Sequence, residues 1–189
     1  LFSLVVLESL VQLEQFFAIK DEIGFGDATL YLNVSAHTIM HPDFCSIFTD
    51  FVDKHQLSPN QFGLEVTETA ELSDISIASE SLSLLKAKGI KIALDDFGAG
   101  YASLKYVRDL PIDVVKLDKH FTFNVSDSST ARLISFVSEV CDDLELEMIG
   151  EGIETEDDKR MMLDLGCKIG QGYLMHRPDF LDSFKVKET

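Results

Sequence analysis

Seven polar residues define the chemistry open to this chain: Asn33, Glu65, Asp95, Asp96, Lys116, Glu151 and Gln171. Each closes a short apolar run, a place where an uncompensated charge is expensive. Asn33, Glu65, Asp95 and Asp96 are oxygen donors, the set that suits hard cations such as Mg²⁺ or Mn²⁺. The adjacent Asp-Asp pair can place one carboxylate on each of two metals, or bridge both. Two ions ~3.5–4 Å apart would clamp the attacking and leaving oxygens of a phosphodiester displacement. Lys116 is a compact cation able to hold a water or a phosphoryl oxygen as charge builds. Glu151 could take the proton from a water acidified by coordination. Such a mechanism needs no cofactor beyond metal.

Taken singly, each element has an ordinary explanation. A lone Asp-Asp is usually a turn or a solvated cap, and Glu65-Val66-Thr67-Glu68 could be a strand passing into a capping sequence. Asn33-Val34-Ser35 has the form of a glycosylation acceptor, yet nothing else suggests secretion. Asp96-Phe97-Gly98 matches the kinase metal-binding triplet, but no glycine-rich phosphate loop or His-Arg-Asp loop accompanies it. The five histidines are scattered and form no ligand pair. The ordered set carries the argument, not any one member.

The elements that must position this set alternate between β-rich runs and helical patterns. Strands are expected over 29–34, 62–66, 91–95, 113–118, 147–151 and 168–173, and helices over 5–20, 43–55, 74–88, 129–143 and 156–165. In the first helix Val6, Leu10, Leu13 and Phe17 make one apolar stripe while Glu8, Gln12 and Gln15 face away. Gly89, following Lys86-Ala87-Lys88, is a helix stop. Alternation of this kind favours a parallel sheet or barrel, and polar groups at successive strand ends suit the C-terminal face of a (β/α)8 barrel. An open doubly wound sheet is the alternative. A barrel needs eight strands and typically ~250 residues, so strands are expected to be missing, most economically from the N-terminus.

Bulk properties narrow the function further. A 189-residue chain that is 46% hydrophobic and 26% charged can bury one core, so a single domain over 1–189 is the expectation. The formal charge of −17 argues against binding a nucleic-acid polymer, which requires Lys and Arg against phosphates. An anionic substrate stays open if divalent cations or placed basic residues reverse the local potential. Cys45, Cys141 and Cys167 are odd in number and unpaired in spacing, which reads as reduced, buried thiols in a cytosolic protein. No apolar run is long enough to span a membrane, and no membrane contact is expected from this domain.

The motifs together resemble one family. Asn33-Val34-Ser35-Ala36, Leu64-Glu65-Val66-Thr67-Glu68 and Asp95-Asp96-Phe97-Gly98-Ala99-Gly100-Tyr101-Ala102-Ser103-Leu104 look like successive signatures of the EAL domain. So do Val115-Lys116-Leu117-Asp118, Glu151-Gly152-Ile153-Glu154-Thr155 and Gln171-Gly172-Tyr173-Leu174 with Arg177-Pro178. The similarity runs from about Val6 to Pro178. It implies a (β/α)8 TIM-like barrel that hydrolyses cyclic di-GMP to the linear dinucleotide with Mg²⁺ or Mn²⁺, in bacterial signal transduction. By motif position, Asn33, Glu65 and Asp95 would bind the first metal, and Asp95 and Asp96 the second. Glu151 would be the general base and Lys116 would steady the water. Gln171 and Pro178 would lie against the substrate. Glu68, Glu154 and Asp118 would be supporting carboxylates, with Glu68 anchoring the Asp-Phe-Gly loop. The resemblance also implies that this loop links the metal site to a dimer contact, hence a homodimer. A cytoplasmic domain follows, with attachment to a membrane or sensor module left open.

The family's Glu-Ala-Leu signature has no equivalent here. Glu8-Ser9-Leu10 lies only 25 residues before Asn33, too close for the intervening strand, loop and helix, and falls within an amphipathic pattern. The expectation is that the sequence begins after the first strand, and that this polypeptide alone is poorly active for want of one metal ligand. A cyclic-di-GMP receptor without turnover, and a protein-interaction module, stay open as alternatives.

Overall fold

A computed structural model describes residues 15–18, 20–21, 28–67, 74–100 and 103–179. Among them six strands form one parallel sheet: β1 (Leu30–Val34), β2 (Phe62–Thr67), β3 (Lys91–Phe97), β4 (Val114–Leu117), β5 (Glu147–Gly150) and β6 (Ile169–Gly170). Their order in the sheet is their order in the chain. A doubly wound sheet reverses strand order at a switch point, whereas a barrel never does. The winding is that of a (β/α)8 barrel.

The helices are α1 (Ala36–Ile39), α2 (Phe44–Lys54), α3 (Ile75–Lys86), α4 (Ser103–Asp109), α5 (Lys119–Phe123), α6 (Ser128–Asp143) and α7 (Glu156–Asp164). Helical spacing decides which side chains they bury. Phe44, Phe48 and Val52 line the buried face of α2, Ala78, Leu82 and Leu85 that of α3, and Ile134, Val137, Ser138 and Cys141 that of α6. The caps are local. Asp74 accepts from the Ser76 and Ile77 amides, Asp127 from those of Ser129 and Thr130, and Thr155 and Asp158 make a capping box. Ser35 of the Asn-Val-Ser triplet caps α1 by accepting from the Thr38 amide.

The sheet has two unlike faces, as the two-residue period of a strand requires. Leu64, Val66, Ile92, Leu94, Val115, Leu117 and Met148 meet the helices in one core. The alternate residues, Asn33, Glu65, Ala93, Asp95, Val114 and Lys116, share the other face. On that face Lys91 pairs with Glu147 at 3.1 Å, from β3 to β5 across β4. Phe17 packs its ring on Phe62 at 4.7 Å between centroids, while Val6, Leu10 and Leu13 of the expected stripe lie outside the described residues.

Most expected elements stand within a residue or two of their observed bounds. Short helices α1, α4 and α5 were not expected, since none is long enough to show a period. The last strand was expected over 168–173 but closes at Gly170, where the chain turns after Gln171. Gly172 packs on Ile153 there so closely that a Cβ would meet the Ile153 carbonyl oxygen at 2.1 Å. Cys141 and Cys167 are buried free thiols, and burial pushes both up to about 11. Cys45 is only half-buried, its Sγ donating to the Ser81 carbonyl at 3.4 Å, a correction to the expectation of three buried thiols.

Leu94 has no exposed surface and joins the central strand to the helix layer. Leu94→Ala is expected to destabilise by about 2–5 kcal/mol, read from urea unfolding midpoints at constant slope. A loss below about 1 kcal/mol would show that the helix layer does not depend on this strand.

Candidate functional site

Lys116, on β4, is 4% exposed. Its Nζ donates to Asp95 Oδ1 at 2.7 Å and pairs with Glu151 Oε1 at 2.8 Å and Glu65 Oε1 at 3.0 Å. The sheet explains the meeting. Glu65 is on β2, Asp95 on β3, and Glu151 follows β5, its amide donating to the Leu117 carbonyl. A buried ammonium with one carboxylate could be neutral overall; with three it sits in an excess of negative charge. Burial by itself disfavours the Lys116 charge, yet hydrogen bonds to Asp95 and Glu151 and the field of Glu65 hold its pKa above the ordinary lysine value.

Asp95 and Asp96 are neighbours in sequence, and a regular strand would send them to opposite faces. Here the ladder slips. Leu94 pairs with Val115, but Phe97 pairs with Leu117, so Asp95 and Asp96 together stand opposite Lys116. Asp96 adopts φ 55, in the left-handed region that Asp tolerates better than most residues. This bulge brings carboxylate oxygens of Asp95, Asp96 and Glu151 within 4.8 Å of one another. Burial raises the pKa of Asp96, helped by Asp95 and Asp118. It raises those of Glu65 and Glu151 too, against the opposing pull of Lys116.

Of the remaining expected residues, Asn33 and Gln171 are tied to the strands that carry this group. Asn33 is exposed on β1 and is the register partner of Glu65. Glu65 is turned onto Lys116 and stands outside the trio of Asp95, Asp96 and Glu151. Gln171 donates its backbone N–H to the Gly150 carbonyl and lines a cleft beside Glu151 with Glu154. Asp118 caps α5 by accepting from the His120 amide. Pro178 is exposed, and Arg177 before it lies over the Tyr173 ring at 4.3 Å. Glu68 and residues 101–102 of the Asp-Phe-Gly loop lie outside the described residues, as does Glu8-Ser9-Leu10.

Sequence reasoning missed Thr122, whose buried hydroxyl donates to the Glu151 carbonyl at 2.5 Å and fixes the backbone carrying that carboxylate. It also missed Lys119, which reaches the same cleft. The only available signal was Asp118, a capping residue directly ahead of both.

Comparisons with known proteins agree on one family. The EAL domain family matches over residues 1–178. The bifunctional diguanylate cyclase/cyclic di-GMP phosphodiesterase MucR of Pseudomonas aeruginosa is 34% identical over 156 residues, 82% of this chain and 23% of its own length. The solved PaMucR phosphodiesterase in complex with c-di-GMP superposes with a TM-score of 0.84 at 30% identity, covering 96% of this chain and 75% of that one. The manganese/cy-diGMP complex of Klebsiella pneumoniae BlrP1 gives a TM-score of 0.77 at 28% identity, covering 87% of this chain and 43% of that one. The chain spans about a quarter of the length of the curated relatives it matches. The TIM-like barrel fold is thereby shown.

Removing Lys116 strands three carboxylates in a largely buried site. Lys116→Met is expected to destabilise the metal-free protein by about 3–5 kcal/mol. Glu65, Asp96 and Glu151 have folded pKa values above their unfolded ones. Their contribution is therefore full below the unfolded carboxylate pKa of about 4, and is lost as pH rises through the folded values. Thermal scans in chelator are expected to show stability falling as pH climbs from that point, with a smaller fall in Glu151→Gln. A wild-type profile that rises over that window would contradict the assignment.

Proposed function

The chain belongs to the EAL domain family, and on that premise we propose that its site hydrolyses cyclic di-GMP to the linear dinucleotide in a Mg²⁺- or Mn²⁺-dependent reaction of bacterial signalling. The observation that carries this reading is the convergence of Asp95, Asp96 and Glu151 beside Lys116 at one end of the sheet. These carboxylates are hard oxygen donors, and burial, helped by the neighbouring Asp95, raises the pKa of Asp96 and Glu151, a donor set that fits hard divalent cations. Asp95 and Asp96 would hold two ions, with Asn33 and Glu65 completing the set around the first. When bound, the metals supply an acidified water and neutralise phosphoryl oxygens.

The rest is the work of this chain. Glu151 receives the proton of the attacking water, a role that its raised pKa favours. As the water oxygen bonds to phosphorus, one bridging P–O bond breaks and the ring opens. Lys116 holds Glu151 and Asp95 in place and steadies the water between them. Gln171 and Pro178 bound the substrate side, and Glu68, Glu154 and Asp118 support the loops around it. The relatives' phosphodiesterase names and nucleotide complexes support this reading. A cytoplasmic homodimer is part of the same proposal. Among the described residues no helix is long and apolar enough to cross a membrane.

Chromatography after incubating the full-length protein with cyclic di-GMP and Mg²⁺ or Mn²⁺ tests this directly. Linear dinucleotide is expected, with turnover reduced about 100-fold or more in Glu151→Gln while binding is kept. Bound but intact substrate in the wild type would replace the enzyme by a receptor.

A further inference from the structure

A tyrosine and a glycine are matched on the carboxylate face of the sheet, toward its N-terminal end. Tyr31 on β1 is the register partner of Gly63 on β2, and each stands two residues ahead of a polar group, Asn33 and Glu65. Two residues along a strand return to the same face, so Tyr31 and Gly63 lie one step below those groups. The Tyr31 ring lies across Gly63. A Cβ at Gly63 would stand 2.2 Å from both Cδ1 and Cε1 of that ring and 2.8 Å from Cζ. Gly63 has ordinary strand backbone and is absent from the positive-φ glycines, so it serves space rather than conformation. A glycine inside a strand forgoes side-chain packing, and it marks a place of close approach.

The ring sits among charges. Burial pushes the Tyr31 phenol up to about 12, and the fields of Glu147, Glu65 and Asp113 add to this while Lys116 opposes it. The side chain is therefore neutral, and it feels both the Lys116 cluster and Glu147. Glu147 pairs with Lys91, the register partner of Gly63 on β3. Of the three contacts that Lys116 makes, the one to Glu65 is the longest, 3.0 Å against 2.7 and 2.8 Å. Ion-pair attraction weakens steeply once water enters. The Glu65 contact is thus the one most dependent on a dry underside.

We propose that Tyr31 is a positioning residue for this site: its ring, admitted by Gly63, packs beneath Glu65, keeps water from the underside of the Glu65–Lys116 contact, and so holds Glu65 where a divalent cation would meet it. This rests on the functional reading above and extends it to a pair of residues outside the polar set.

The test uses the full-length protein and three readouts: Mn²⁺ affinity by calorimetry without substrate, kcat and KM for cyclic di-GMP, and Tm in chelator. Tyr31→Ala is expected to weaken Mn²⁺ binding and to lower kcat about tenfold each, with KM changed by less than about twofold. Tyr31→Phe keeps the ring and is expected to retain both. Gly63→Ala is expected to reproduce the loss, because methyl and ring cannot share the space, yet to cost nothing further when added to Tyr31→Ala. Leu82→Ala opens a cavity in the helix layer and is expected to lower Tm with Mn²⁺ affinity unchanged. A Tyr31→Ala protein that loses Tm but keeps wild-type Mn²⁺ affinity and kcat would overturn the positioning role and leave the phosphodiesterase standing. A wild type that cleaves nothing, yet binds Mn²⁺ more tightly than Tyr31→Ala, would overturn the phosphodiesterase and support the positioning role. A wild type that binds no Mn²⁺ would overturn both.

Discussion

The arrangement depends on one buried ammonium. Lys116 ties together Glu65 and Asp95, in the C-terminal halves of two other strands, and Glu151, just beyond a third, so its contacts fix the relative heights of four strands. The same contacts leave the site over-supplied with negative charge, because one cation faces three carboxylates and Asp96 adds a fourth. A buried cluster of this kind is weak evidence for stability as such, since desolvation opposes much of the Coulomb gain. Its sense lies in poise. The lysine holds the carboxylates in place, and their excess charge fits the cluster to receive divalent cations.

That poise reconciles an acidic chain with the anionic substrate proposed for it. At −17 the protein as a whole repels phosphates. Lys116 cannot reverse this, because its charge is already committed to its three partners. On the proposed function, attraction at the site would come from divalent cations and from basic residues at its rim, of which Lys119 and Arg177 border the cleft region. Local field rather than net charge decides which anion can approach, which is why a composition that argues against nucleic-acid polymers leaves a small dinucleotide open.

Much of this was legible in the sequence because the barrel repeats one rule. Each apolar run ended in a polar residue, and Glu65, Asp95, Lys116 and Glu151 do meet where strand ends of one sheet must meet. Helices with three or four buried positions, such as α3 and α6, announced themselves by period. Less legible was everything set by fewer than about two turns. Helix α5 has no period to read, so Lys119 and Thr122 went unnoticed although both stand beside the Glu151 segment. The early end of β6 depends on Gly172 packing against Ile153, a contact between segments that local propensity does not encode.

The bulge at Asp95–Asp96 is the clearest case. Period-two reasoning applied strictly would have put one carboxylate in the site and the other against the helices, where a charge has no partner. The structure keeps both by paying backbone strain at Asp96, of order 1–3 kcal/mol for a non-glycine residue in the left-handed region. Such strain persists only where neighbours over-determine it. Here Leu94 is paired with Val115 before the bulge and Phe97 with Leu117 after it, while the Ala99 amide donates to the Asp96 carbonyl. The chain leaves the bulge through Gly98 at φ +94, with the Phe121 ring filling the space a side chain would need. Segment 97–100 is therefore mechanically continuous with the carboxylate pair. Any displacement of this segment that unpaired Phe97 from Leu117 would release the bulge, and relaxing the bulge would turn Asp96 away from Asp95. The same register slip that builds the site also makes its geometry answerable to the loop that follows it.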